Sequence, residues 1–259
     1  MNATTLQSIQ EVADILHNAS YVTCLVGAGL SAESGIPTYR GPGGLWTRFG
    51  EPPMNDYDRF VQDPKAYWEE RLSPPSDGPR AELFKALEAA EPNAGHYALA
   101  ELERMGLLQF TVTQNIDGLG RIAGSEHVVE IHGSRNMVRC TGCGLRLHRD
   151  DFTIAELPPS CPECGEMVKI DTVLFGEPIP SEWLTRCYQQ IEASDCILLV
   201  GTSGTVNPSA SFPLLIKQRG GYLLEFNPLE SQLSPHCDVV VRESAAESLP
   251  ALVELLHTP

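Results

Sequence analysis

TCLVGAGLSAESGIPTYRG, residues 23–41, runs from an apolar strand into a glycine turn. Tyr21 to Val26 reads as the strand, and Gly27-Ala28-Gly29-Leu30-Ser31-Ala32 fits the pattern G-x-G-x-x-[GA]. In that pattern the glycines allow a tight bend and a close approach of backbone to a pyrophosphate, whose charge then meets helical N–H groups. A standard dinucleotide unit continues through a full helix to a second strand ending in an acid that holds the ribose. Here Ser34-Gly35-Ile36-Pro37 breaks the helix after about two turns, and no strand-ending acid follows. A cofactor at this turn must therefore be held in another way, by groups from elsewhere in the chain.

Those groups are found by working outward. Leu6, Ile9, Val12, Ala13 and Leu16 recur at helical spacing, which predicts an amphipathic helix over 4–18. From Gly41 to Pro79 the sequence turns rich in Pro, Gly, aromatic and charged residues, with Pro52-Pro53 and Pro74-Pro75 as punctuation. This predicts an insertion with short helices, one of them Pro64 to Leu72. A helix after Pro92-Asn93-Ala94-Gly95-His96, closed by Gly106, leads to a strand over 107–113. Further strands are predicted at 128–131, 196–200, 222–226 and 239–241, with helices near 182–191 and 251–256. Strands alternating with helices imply a mainly parallel sheet covered on both faces. At the carboxyl ends of these strands stand Gly27-Ala28-Gly29, Gln114-Asn115-Ile116-Asp117, His132-Gly133, Gly201-Thr202-Ser203 and Asn227. In an open α/β sheet that edge is where ligands bind.

Composition narrows the function classes. With 259 residues and 42% hydrophobic content, the chain is large enough for an α/β domain and a smaller one. A net charge of −16 offers no basic footprint, so direct nucleic-acid binding is not expected, whereas a cationic peptide is a compatible partner. No 18-residue apolar run or export pattern is present, and the expectation is a cytoplasmic protein with no membrane span.

Four of the eight cysteines, Cys140, Cys143, Cys161 and Cys164, form two C-x-x-C pairs separated by seventeen residues. That spacing is the signature of a four-thiolate zinc ribbon, with no ligand position left for water, so the metal is structural. Cys24, Cys187, Cys196 and Cys237 are scattered, mostly in apolar runs, as small buried hydrophobes in a reducing compartment. His148, between the pairs, reads as a surface residue. Asn115 and Asp117, two apart after a strand, suit recognition of a carboxamide and a ribose. His132, on the same edge as the glycine turn, suits a general base, because imidazole near neutrality can take a hydroxyl proton. Arg40 is placed to reach a phosphate or ribose.

The chain resembles the sirtuin family, the NAD-dependent protein lysine deacylases, in its bacterial-type members. The likeness is carried by GAGLSAESGIPTYRG at 27–41, GGLW at 43–46, PNAGHYALAELE at 92–103, TQNIDGL at 113–119 and His132-Gly133. It continues through the zinc cysteines, VLFGE at 173–177, GTSGTVNP at 201–208, FNP at 226–228 and CDVVV at 237–241. The resemblance implies a Rossmann-like NAD-binding domain from residues 1–42, 91–133 and 171–259. It implies a cofactor-binding loop and helical insertion over 43–90 and a zinc-binding small domain over 134–170. NAD would be consumed as co-substrate, with the acyl group of an acylated lysine transferred to ADP-ribose and nicotinamide released. His132 would be the base, with Asn115 and Asp117 at the nicotinamide and its ribose, and Gln114 at that ribose. Gly27, Ala28, Gly29, Ser31, Tyr39, Arg40, Gly201, Thr202, Ser203, Asn227 and Cys237 would contact the rest of NAD. Val173, Phe175, Gly176 and Glu177 would line the substrate side.

Two departures bear on specificity. Tyr39 stands where the family usually has phenylalanine. Members that prefer succinyl or malonyl lysine carry a Tyr-x-x-Arg pair, and Arg71 and Pro74 occupy those positions here. Tyr67 and Arg71 read as a solvated helix pair, so neutral acyl groups are expected, acetyl first. Mono-ADP-ribosyl transfer or NAD hydrolysis at the same site, and an NAD-sensing scaffold, stand as alternatives.

Overall fold

The computed structural model describes residues 1–73 and 76–257. Pro74-Pro75, and with it the second position of the acyl-selecting pair, lies outside the described residues. The first helix, α1 (Ala3–Asn18), begins where the Asn2 side chain accepts from Thr5 N–H at 2.9 Å. It leads into β1 (Val22–Val26), every residue of which is buried. A 3₁₀ turn over Ala28–Ser34 follows where the sequence suggests a truncated helix. The insertion then folds as four short helices: α2 (Leu45–Phe49), α3 (Asp56–Gln62), α4 (Pro64–Leu72) and α5 (Gly78–Ala89). Of these, α4 matches the predicted span. Asp63 caps it by accepting from Ala66 N–H, and Pro64 occupies the first turn, where its missing N–H costs nothing.

The large sheet is completed by α6 (Ala94–Arg104), β2 (Phe110–Thr113), α7 (Leu119–Ile122) and β3 (Val128–Glu130) on one side of β1. After the small module of β4 (Met137–Cys140), β5 (Arg146–His148) and β6 (Val168–Ile170), the chain returns through α8 (Ser181–Ala193). It then builds β7 (Cys196–Val200), α9 (Phe212–Gln218), β8 (Tyr222–Phe226), β9 (Val239–Val241) and α10 (Ala245–His257). The six strands are parallel in the order β3-β2-β1-β7-β8-β9. Pairing aligns Thr113 and Val200 with Val26, Glu130 with Thr113, and Phe226 with Val200, so these strands end at one level. The chain reverses direction across the sheet between β1 and β7, and ligand crevices in such sheets open outside the carboxyl ends at that reversal.

Alternation along the central strands divides the core. Cys24, Val26, Leu198, Val200, Leu224 and Phe226 pack under α1, α6 and α10, whereas Leu25, Ile197, Leu199 and Leu223 face α8 and α9. Burial pushes the Cys187 and Cys196 thiols up to about 12 and raises Cys24 further, so all three remain neutral apolar filler.

The small module is a three-stranded antiparallel sheet, β5-β4-β6. Its core is shared with the insertion: Phe60, Tyr67 and Trp68 pack on Val138, Val168, Ile170 and Leu174, and Trp68 Nε1 donates to Val168 O at 2.9 Å. A ribbon this small cannot bury a core by itself and borrows one. This corrects the expectation of a solvated Tyr67–Arg71 pair. Tyr67 is only 7% exposed, and the Arg71 guanidinium lies 3.5 Å from its ring centroid. His148 is exposed, as expected.

Candidate active site

The glycine turn is shaped by its neighbour strand. A Cβ on Gly27 would come within 2.7 Å of Gly201 O, and one on Gly29 within 2.7 Å of Gly201 Cα. Gly201 itself has φ +57°, and its own Cβ would fall 2.4 Å from Leu30 N. The turns after β1 and β7 therefore interlock backbone against backbone, which only glycine permits. Gly27 N–H donates to Val200 O and Gly29 N–H to Gly201 O.

His132 follows β3 on this edge and is half-buried. Its Nδ1 lies 3.0 Å from Gln114 O. A carbonyl oxygen only accepts, so Nδ1 carries the proton and Nε2 is left with its lone pair. Burial lowers the imidazole pKa below its usual value, partly opposed by the Gln114 carbonyl, so the ring is neutral at pH 7. A neutral imidazole with a fixed tautomer is a proton acceptor already aimed. Gln114 is fixed in turn: Nε2 donates to Thr202 Oγ1 at 2.9 Å, and Oε1 accepts from Ser209 Oγ at 3.2 Å.

Asn115 and Asp117 are joined through Ser31. Ser31 Oγ donates to Asp117 Oδ2 at 2.8 Å and accepts from Asn115 Nδ2 at 3.1 Å. The third partner is His96 Nε2 at 3.4 Å. His96 Nδ1 accepts from Asn93 N–H at 3.2 Å, so its proton sits on Nε2 and points to Ser31. Burial drops the His96 pKa to about 4, against the pull of Asp117, which keeps the ring neutral. One hydroxyl thus uses its single proton and both lone pairs, and it lies only 1% exposed beneath the site. Asn115 Nδ2 also donates to Gly27 O, and Asp117 Oδ1 accepts from Leu119 N–H, tying the cluster to the glycine turn and to α7.

On the outer side, Arg40 Nη2 meets Glu51 Oε1 at 3.1 Å, Nη1 meets Thr205 Oγ1 at 3.3 Å, and the guanidinium stacks 4.2 Å from the Trp46 ring. The Trp46 ring lies 5.2 Å from Tyr39 and 5.8 Å from Phe175. Burial, with the Asp117 charge, raises the Tyr39 phenol, so it is un-ionised. Thr202 is buried, Ser203 is exposed, and Asn227 Nδ2 donates to Thr202 O at 3.0 Å. Val173 N–H donates to His132 O at 2.8 Å, which brings the segment Val173, Phe175 and Gly176 beside the base, with Phe175 36% exposed.

Two expected members stand elsewhere. Glu177 does not face the cleft: its carboxylate turns inward to Arg139 Nη2 at 2.8 Å and Lys169 Nζ at 3.0 Å. Cys237 precedes β9, and Asp238 N–H already bonds to Leu223 O near the start of β8. It therefore lies toward the amino edge of the parallel sheet, away from the glycine turn, and its Sγ donates to Leu233 O at 3.2 Å. The chain following β9 on the ligand edge is Arg242 to Ala245.

The four ribbon cysteines place their sulfurs within 4.8 Å of one another. Cys140 and Cys164 are 3.4 Å apart and Cys143 and Cys161 3.7 Å. Tetrahedral zinc with bonds of about 2.3 Å needs sulfurs about 3.8 Å apart, so the set fits that ion. Gly142 and Cys143 N–H groups point at Cys140 Sγ, as donors to a thiolate would. No helix among the described residues is long and apolar enough to cross a membrane.

Residues 27–208 match the model of the Sir2 family. The chain belongs to the Sir2 family. A relative from Pyrococcus furiosus, named an NAD-dependent protein deacylase, is 41% identical over 249 residues, covering 94% of this chain and 96% of its own. The fold is that of a solved structure described as a Sir2 homolog–NAD complex, with TM-score 0.79 and 37% identity over 95% of this chain and 93% of that one. A structure described as Sir2–p53 peptide–NAD+ matches with TM-score 0.77 and 28% identity, covering 95% and 98%.

In this Sir2 chain the residue that sequence reasoning passes over is His96. The sequence marks it only as part of a helix start, and it does form a reciprocal cap there, with Asn93 Oδ1 accepting from Gly95 N–H and His96 Nδ1 from Asn93 N–H. The available signal is a histidine at the third helical position, where glutamate or glutamine ordinarily closes the cap.

Proposed function

We propose that this chain is an NAD-dependent protein lysine deacylase acting on neutral acyl groups, acetyl first. The observation that carries the proposal is the His132 ring, whose Nδ1–H is spent on Gln114 O, leaving Nε2 as a free base on the ligand edge. NAD, when bound, supplies nicotinamide as leaving group and ADP-ribose as acceptor of the acyl group. The residues of the chain orient, exclude water and move a proton. Asn115 and Asp117, locked by Ser31, suit the carboxamide and ribose at the nicotinamide end, with Gln114 beside them. Gly27, Ala28, Gly29, Tyr39, Arg40, Gly201, Thr202, Ser203 and Asn227 line the remaining length. His132 Nε2 takes the proton of a ribose hydroxyl, which frees that oxygen to receive the acyl carbon. Tyr39, Trp46 and Phe175 form an aromatic wall that shields the reacting centre from water.

The acyl-lysine enters along Val173, Phe175 and Gly176. The acetyl preference is supported by Arg71, whose guanidinium is occupied by the Tyr67 ring and by Tyr67 O at 3.3 Å. Residues 1–42, 91–133 and 171–259 form the NAD-binding part, 43–90 the cofactor loop and helices, and 134–170 the zinc module. Zinc at Cys140, Cys143, Cys161 and Cys164 would serve structure alone, since four thiolates leave no position for a substrate. The buried free thiols suit a reducing, cytoplasmic setting.

The test is to incubate acetyl, long-chain acyl and succinyl peptides with NAD and to follow nicotinamide and O-acyl-ADP-ribose together. Equal release of both, dependent on acetyl peptide, is expected. Nicotinamide released without peptide would point to hydrolysis, and succinyl turnover exceeding acetyl turnover would overturn the acyl preference.

A further inference from the structure

Behind the cleft, where the zinc ribbon joins the large sheet, six side chains form a line of alternating charge. Lys169 meets Glu177 at 3.0 Å, Glu177 meets Arg139 at 2.8 Å and Arg139 meets Asp171 at 2.9 Å. Asp171 then meets Arg146 at 2.5 Å, which reaches Glu130 at 3.7 Å. Glu130 is also met by Arg121 at 3.6 Å, so four cations surround the three anions. Lys169 and Asp171 have no exposed surface at all.

Lys169 uses each of its three protons: on Glu177 Oε2, on Ile170 O at 3.0 Å and on Thr172 O at 2.7 Å. Glu177 Oε2 also accepts from Leu174 N–H at 2.9 Å, and Glu177 N–H closes a turn on Leu174 O at 2.9 Å. At the third position of that turn Gly176 has φ +87°. The next ties run outward: Val173 N–H to His132 O at 2.8 Å and Tyr57 N–H to Phe175 O at 3.0 Å. A single ammonium therefore fixes the backbone as it leaves the ribbon, crosses behind His132 and turns to present Phe175. Burial pulls the Lys169 pKa down to about 8, with Glu177 opposing, so the charge is present at neutral pH.

Buried ion pairs contribute little stability relative to apolar residues of the same volume, and their best-attested use is to specify geometry. We propose that Lys169, acting through Glu177, is a positioning residue that sets the shape of the 172–177 segment and thereby the affinity for the acyl-lysine peptide. This rests on the deacylase reading, in which that segment receives the peptide. Among the described residues, the Lys169 and Glu177 side chains bond only to one another, to Arg139 and to the backbone of Ile170, Thr172 and Leu174. None of these is among the glycine-turn residues, Gln114, Asn115 or Asp117, so their effect falls on the peptide and not on NAD.

The test uses the full-length, zinc-loaded chain and its Lys169→Met, Glu177→Gln and doubly substituted forms, with acetyl-lysine peptide and NAD each varied. Each single substitution is expected to raise the peptide KM about tenfold or more while the NAD KM stays within about twofold. Zinc should remain stoichiometric. Because Lys169→Met strands the Glu177 charge and Glu177→Gln removes it, the double variant should fall well short of the product of the singles. If Lys169→Met does not fold, the near-isosteric Glu177→Gln decides alone. Peptide and NAD KM rising together would show general loosening and overturn the proposal, as would an unchanged peptide KM. Wild-type chain that fails to turn over acetyl peptide would instead remove the deacylase reading, and this inference with it.

Discussion

Ser31→Ala removes the one hydroxyl that joins Asn115, Asp117 and His96. The lost bond to Asp117 Oδ2, 2.8 Å long, is charge-assisted and buried, a class worth about 1.5–3 kcal/mol. Part of that is retained, because Asp117 Oδ1 still accepts from Leu119 N–H and Asn115 Nδ2 still reaches Gly27 O. His96 Nε2–H has no such second partner in the cluster and is left pointing at a methyl group. A net destabilisation of about 2 kcal/mol follows, which for a chain of this size lowers Tm by roughly 4–8 °C. Freed side chains also stop holding the nicotinamide end, so kcat/KM for NAD should drop roughly 10- to 100-fold, a transition-state loss of about 1.4–2.7 kcal/mol. A thermal melt paired with steady-state nicotinamide release reads both effects. Unchanged kinetics with a lowered Tm would mean that the cluster only supports the fold; unchanged values of both would refute the hydrogen-bond assignment.

Arg40→Ala should raise the NAD KM about tenfold while zinc content stays at one per chain, measured by steady-state kinetics and metal analysis; unaltered NAD kinetics would count against its role. Stripping zinc with a chelator should unfold the ribbon, because a structural site contributes on the order of 10 kcal/mol. The readout is proteolysis between Cys140 and Cys164 together with loss of peptide turnover. His96 gives a stability signature in acid. Its folded pKa of about 4 lies below the unfolded value of 6.5, so the unfolded chain binds the proton first. Its contribution is complete above pH 6.5 and is lost as pH falls toward 4, on the order of 3 kcal/mol. Denaturant melts of wild type and His96→Gln across that window should therefore converge as the pH drops.

The sheet is legible in the sequence because its strands are short apolar runs ended by a small or polar residue, Gly201, Asn227 and Arg242 in turn, so Cys196–Val200, Tyr222–Phe226 and Val239–Val241 have the predicted limits. Strand β2 begins three residues later than predicted, since Leu107 and Leu108 N–H groups are spent closing α6 on Leu102 O. Helix α5 leaves no mark in the sequence because it buries none of its residues and so has no apolar period to read. Helix α10 begins six residues before its predicted start, with Pro250 inside it. The ligand edge can be anticipated one strand end at a time. What holds that edge together cannot, because the Ser31–His96 contact spans 65 residues and the Glu177–Arg139 contact 38. Cys237 is misplaced for a related reason: a motif gives order along the chain, whereas the direction of β9 decides which edge a flanking residue reaches.

The central claim is that His132 Nε2 acts as the base of an NAD-dependent deacylation. It is tested most directly by measuring His132→Ala for NAD binding by calorimetry and for acetyl-peptide turnover across pH 5 to 8. NAD affinity within a few-fold of wild type, near-complete loss of turnover, and a wild-type acid limb below pH 6.5 are the predicted results. Turnover by His132→Ala comparable to wild type, with NAD still bound, would contradict the claim.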